Sequence, residues 1–111
     1  MLILVHTTVE SHEDAQQLAR GAVGLALAAC VHIDRIESVY RWEGQVHAGL
    51  EYRLRFKTTA QCAPQLTVWL KAHHPYQLPA LYSTQAQDVD PRFMAWVEEG
   101  SRAQSGEASG S

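Results

Sequence analysis

The chain alternates short apolar runs with amphipathic stretches. Residues 2–8 are a continuous apolar run closing on His6-Thr7-Thr8, the pattern of a strand buried on both faces in the middle of a sheet. Ser11 then offers an N-cap hydroxyl, with Glu13 and Asp14 in the first turn, where they complement a helix dipole. Ala15, Leu18, Ala19, Ala22, Val23 and Ala26 follow at helical spacing and form one buried stripe. Gly21 and Gly24 weaken such a helix by roughly 1 kcal/mol each, a cost offset if they admit close packing on the sheet. From Ala28 to Trp42 the pattern returns to strand, with a slip of phase at Asp34-Arg35 that predicts a bulge or bend. Glu43-Gly44 marks a tight turn. In the strand after it, Leu50, Tyr52, Leu54 and Phe56 face one way and Glu51, Arg53, Arg55 and Lys57 the other, so residues 30–57 form a long hairpin.

Thr58 or Thr59 caps a second helix that carries Leu66, Trp69, Leu70 and His73. Pro64 fits only in its first turn, and Pro75 ends it. A strand over 77–84 and a short helix opened by Asp90-Pro91 complete the order. This strand, helix, strand, strand, helix, strand plan is an α+β ferredoxin-like β-α-β-β-α-β sandwich with an extra C-terminal helix. Its first strand and second hairpin strand are central, as right-handed crossovers require. One domain over 1–101 is expected, and a disordered tail over 102–111, where Ser, Gly, Ala and Glu leave nothing to bury.

Composition narrows the function classes. At 111 residues, 46% hydrophobic and 19% charged, the chain supports one ordinary core without disulfides or structural metal. A formal charge of −3 with nine scattered Lys and Arg gives no basic face for nucleic acid. No apolar run approaches the roughly 20 residues that span a bilayer, and the N-terminus lacks the marks of a signal peptide. Cys30 and Cys62 lie far apart, which favours free thiols and a reducing cytoplasm. There is no glycine-rich phosphate loop, no nucleophile with a base nearby in sequence and no HExxH; an enzyme is not expected.

Six histidines in so short a chain are the candidate chemistry. On the inferred fold the first strand ends near His6 and the second helix ends at His73 and His74, so the three converge on one rim of the sheet. Neutral imidazoles suit Cu, Zn and Ni. A simpler reading competes, since histidines at a helix C-terminus also complement its dipole. His12, His32 and His47 read as solvent-facing.

Several segments taken together carry a resemblance: Ala28-Ala29-Cys30-Val31, Tyr40-Arg41-Trp42-Glu43-Gly44, Glu51, Lys57-Thr58-Thr59 and His74-Pro75-Tyr76-Gln77-Leu78-Pro79. From about residue 2 to 99 the chain resembles the CutA family of divalent-cation tolerance proteins. The resemblance implies a ferredoxin-like homotrimer, a part in tolerance of divalent ions, notably copper, and no established catalysis. It also implies that the end of the first strand and the His pair before Pro75-Tyr76 match copper-binding positions. His6 stands where the family can carry a thiol, which shifts preference from Cu(I) toward Cu(II) or Zn. The sequence departs from the family at His32, at Asp34-Arg35 and at Gln77, each altering local charge without challenging the fold. A threefold assembly would also cover the long hairpin edges and bury Trp42. The alternative is a trimeric signalling or scaffold protein resembling PII-type regulators, binding a small anionic ligand or a partner protein, though the long exposed loop of such regulators is missing.

Overall fold

A computed structural model describes residues 1–102. The seven elements are β1 (Leu2–Val9), α1 (His12–Gly24), β2 (Cys30–Trp42), β3 (Gln45–Thr59), α2 (Ala63–His73), β4 (Leu81–Gln85) and α3 (Pro91–Gly100). The strands form one antiparallel sheet in the order β2-β3-β1-β4, with β1 and β3 central as the apolar pattern requires. This is the expected α+β ferredoxin-like arrangement. The tail expected over 102–111 lies, from residue 103 onward, outside the described residues.

Each boundary has a local cause. Ser11 Oγ accepts from the Asp14 amide at 3.0 Å and starts α1. Asp90 accepts from the Arg92 and Phe93 amides and starts α3, with Pro91 in its first turn. The α2 start is looser: Thr59 Oγ1 takes only the Cys62 amide, and Cys62 occupies the cap position without a side-chain bond. Pro75 forces His74 out of the helix to an extended ψ of 136°. At the hairpin turn Glu43 and Gly44 both have positive φ, 52° and 76°, the left-handed pair that matches the strands' twist.

Side-chain alternation assigns the two sheet faces. Val5, Thr7 and Val9 of β1 and Leu54, Phe56 and Thr58 of β3 are buried. Val5, Val9, Leu54 and Phe56 form one core cluster with Ala15, Leu18, Ala22, Leu66 and Leu70 from α1 and α2. His6, Arg53, Arg55, Cys30, His32, Asp34, Tyr82 and Thr84 stand at the alternate positions, in register across all four strands, on the face these two helices leave open. Gly21 of α1 marks close packing, but on a helix rather than on the sheet: a Cβ there would lie 2.7 Å from the Trp69 ring of α2.

Two expectations differ in detail. β2 pairs with β3 without interruption from Cys30↔Lys57 to Trp42↔Gln45, so there is no bulge at Asp34-Arg35. The phase slips because the covered face changes: Val31 and Ile33 pack against the core, whereas Ile36 and Ser38 are the half-buried positions beyond it. The last strand starts at Leu81 rather than Gln77. Pro79 has no amide to donate, and Thr7 Oγ1 captures the Ala80 carbonyl at 2.7 Å.

Candidate metal centre

The three histidines of interest occupy three different environments. His73 ends α2 on the solvent side. Its ring stacks on Trp69, one helical turn earlier, with centroids 4.5 Å apart. Its Nδ1 lies 2.9 Å from the Trp69 carbonyl oxygen, and a carbonyl can only accept, so Nδ1 carries the proton. In the neutral ring the lone pair then sits on Nε2. A backbone carbonyl holding the far N–H is the arrangement that orients metal-ligating imidazoles. Around the ring runs an open apolar groove lined by Leu25, Leu27, Val68 and Trp69.

His74 is engaged on both sides. Its Nδ1 accepts from the Tyr76 amide at 3.0 Å. Its Nε2 faces the Thr8 carbonyl at 3.0 Å and Thr7 Oγ1 at 2.9 Å; because Thr7 donates to Ala80, the imidazole donates at Nε2. Both ring nitrogens are therefore consumed in tying the 74–80 loop to β1. Burial, first of all, pushes its pKa down, partly opposed by the Thr8 carbonyl, Asp14 and Glu51. A second proton at Nδ1 would meet the Tyr76 N–H head on. The loop is fastened again where the Tyr76 hydroxyl donates to Glu51 at 2.9 Å; burial and that carboxylate raise the phenol's pKa, so it stays a donor.

His6 leaves β1 on the face opposite Thr7. It stacks on Tyr82, centroids 4.8 Å apart, and its Nε2 lies 2.9 Å from Thr84 Oγ1. Desolvation and then the charges of Arg55 and Arg53 lower its pKa. Within one chain, then, His73 and His74 are neighbours with different duties and His6 stands on the far face. Among the described residues no group of three or more His, Cys, Asp or Glu side chains gathers in a way that could hold a metal ion. His12, His32 and His47 are exposed, His12 edge-on to Tyr52 and His47 stacked on Tyr40.

Sequence reasoning missed the partners that separate these histidines: Trp69, Thr7, Tyr76 and the pair Arg53 and Arg55. The last two were traceable, because alternation of β3 puts its cations on one face and an antiparallel register sets one of them opposite His6.

Comparison with known proteins follows the same outline. The family described as CutA1 divalent ion tolerance protein matches residues 3–100. The divalent-cation tolerance protein CutA of Yersinia pestis (strain Pestoides F) is 35% identical over 96 residues, covering 86% of this chain and 81% of the relative. Among solved structures, CutA from Synechococcus elongatus PCC7942 is 40% identical with a TM-score of 0.84, covering 86% of each chain. The divalent cation tolerance protein (Cut A1) from Thermus thermophilus is 35% identical with a TM-score of 0.86, covering 92% of this chain and all of its own. A third, described as the periplasmic divalent cation tolerance protein CutA from Archaeoglobus fulgidus, is 29% identical with a TM-score of 0.87, covering 90% of this chain and 98% of its own.

Proposed function

The chain belongs to the family of CutA1 divalent ion tolerance proteins, and from that membership we propose that it serves metal-ion tolerance by binding Cu(II) or Zn(II) at His73. The observation that carries this reading is the His73 Nδ1–H bonded to the Trp69 carbonyl, which turns Nε2 outward at an exposed helix end. Imidazole suits both ions. His74 acts as the positioning residue, tying the loop that follows the helix end at Pro75 to β1. One imidazole is an incomplete shell, so water or a second copy of the chain completes it. His6, set beside two guanidinium groups, belongs to a different surface. No catalytic step is part of this reading, since the family is described by tolerance rather than by a reaction.

The proposal includes a homotrimer. Its support is the far half of the hairpin, where Val39 and Trp42 are 74% and 47% exposed on the 13-residue edge strand β2, and Val46 of the neighbouring β3 is 67% exposed; such an edge is a liability if uncovered. We also place the protein in the cytoplasm, which two free cysteines, Cys30 and Cys62, favour. No described helix is long and apolar enough to cross a membrane.

Calorimetric titration with Cu(II) and Zn(II) tests the metal role. Saturable binding that His73→Ala abolishes is expected. Undiminished affinity in that variant would remove His73 from the site, and no saturable binding in the parent chain would remove the function as stated.

A further inference from the structure

The groove beside His73 offers more than a lone metal ligand uses. It runs along α2 with a volume of about 600 Å³, inside the range of roughly 300–1,000 Å³ typical of sites for small organic ligands. Leu25 and Leu27, from the loop after α1, form one wall, and Pro64, Val68, Trp69 and Ala72 of α2 form the other. Val68 is 68% and Leu25 46% exposed, on the side of the sheet that the helices cover. A contiguous apolar surface of this kind marks a place where a ligand or partner binds.

One end of the groove is chemically distinct. His73 lines it there, with Nδ1–H held by the Trp69 carbonyl and the ring stacked on the indole, which leaves Nε2 for a metal ion. Gln65, the other polar side chain of the lining, stands two helical turns earlier, about 12 Å along the axis. It is too far away to share that ion. Neither α2 nor residues 25–29 contain an Asp, Glu or Cys. A divalent ion on His73 therefore keeps positive charge and open coordination positions beside an apolar wall. The partner that complements both is an amphiphile: an anionic oxygen for the ion and a hydrocarbon body for the groove. An inorganic anion lacks the body, and a neutral hydrocarbon lacks the donor.

We infer that Cu(II) or Zn(II) on His73 is bound jointly with an amphiphilic monocarboxylate, its carboxylate on the metal in place of water and its hydrocarbon chain in the groove. This rests on the metal role given to His73 above and names the second ligand of that site. Because coupling between two ligands is reciprocal, each should raise the affinity of the other by the same factor.

Octanoate is the probe, with acetate as the control that keeps the carboxylate and lacks the chain. Zn(II) is titrated by calorimetry into the full chain in the presence of each. Octanoate should raise Zn(II) affinity roughly tenfold, and acetate should have little effect. Val68→Asn, a change at an exposed position, should remove that gain and leave Zn(II) affinity without octanoate unchanged. Methyl NMR reads the same contact on the parent chain, so a variant that fails to fold leaves the test intact: Val68 and Leu25 signals should move when octanoate is added to zinc-loaded protein and stay in place with acetate. If Zn(II) binds but octanoate acts no more than acetate, the joint site is wrong and the metal role stands. If octanoate binds equally with and without Zn(II), the groove is uncoupled from the metal and the joint site is again wrong. Absence of Zn(II) binding in the parent chain removes the metal role itself, and the joint site with it.

Discussion

The two halves of β3 obey one alternation and meet opposite fates. Near its end, Leu54, Phe56 and Thr58 have no exposed surface, because α1 and α2 lie over them. Near its start, Val46 and Leu50 are 67% and 50% exposed, since the hairpin runs past both helices. The same apolar pattern thus holds the single chain together at one end and is left for another surface at the other. Hydrophobic periodicity states which face wants cover, not what covers it.

The comparison can be broken most severely at the buried end. Phe56→Ala should cost about 3–5 kcal/mol in denaturant unfolding, the range for an aromatic removed from a packed core. Val46→Ala, an equally apolar position on the same strand, should leave the monomer's stability within about 0.5 kcal/mol and show instead as a smaller mass in light scattering. A large loss of monomer stability from Val46→Ala would place the tip in the folding core and erase the distinction.

Gly21 sharpens the account next. A methyl there must displace the Trp69 ring, and such overpacking costs roughly 1–3 kcal/mol. Since His73 rests on that ring, Gly21→Ala should weaken Zn(II) binding as well as stability. Calorimetry on the variant reads both effects, and unchanged metal affinity would show that Trp69 does not set the pose of His73.

Acid should loosen the 74–80 loop. The His74 pKa is lowered by burial, so the unfolded chain takes up a proton first as pH falls. The stabilising contribution is whole above the unfolded value near 6.5 and declines as pH drops below it toward the folded value. His6 shifts in the same direction, also through desolvation first. With chelator present, unfolding free energy should fall as pH drops below roughly 6.5, and His74→Gln should flatten part of that slope. An identical slope in the variant would assign the acid sensitivity elsewhere.

The smallest effect belongs to the turn. Glu43 holds φ of 52°, a conformation Asn tolerates better, so Glu43→Asn should raise stability by roughly 0.5 kcal/mol in thermal unfolding if the tip folds as part of the chain.

How much of this was legible follows from the range of the forces involved. Ser11, Asp90-Pro91, Glu43-Gly44 and Pro75 act within a few residues, so their turns and caps could be placed from the sequence. Alternation along β3 likewise predicted which side chains share a face. The bulge expected at Asp34-Arg35 failed because a phase slip also arises when cover passes from one face to the other, and cover comes from distant elements. The strand expected from Gln77 starts late because a hydroxyl 73 residues away in sequence, on Thr7, takes the Ala80 carbonyl. The histidines show the same limit. Their presence and the helix end were visible, but His74 and His73 differ only in what the fold sets against each ring nitrogen, and that belongs to tertiary contact.

Imidazole NMR with substoichiometric Cu(II) tests the metal assignment most directly, because the paramagnetic ion broadens the rings it touches. The account predicts that His73 broadens first while His74, held at both nitrogens, and His6, beside two arginines, keep their signals. Loss of the His74 signals ahead of those of His73, or even broadening of all six histidines, would contradict it.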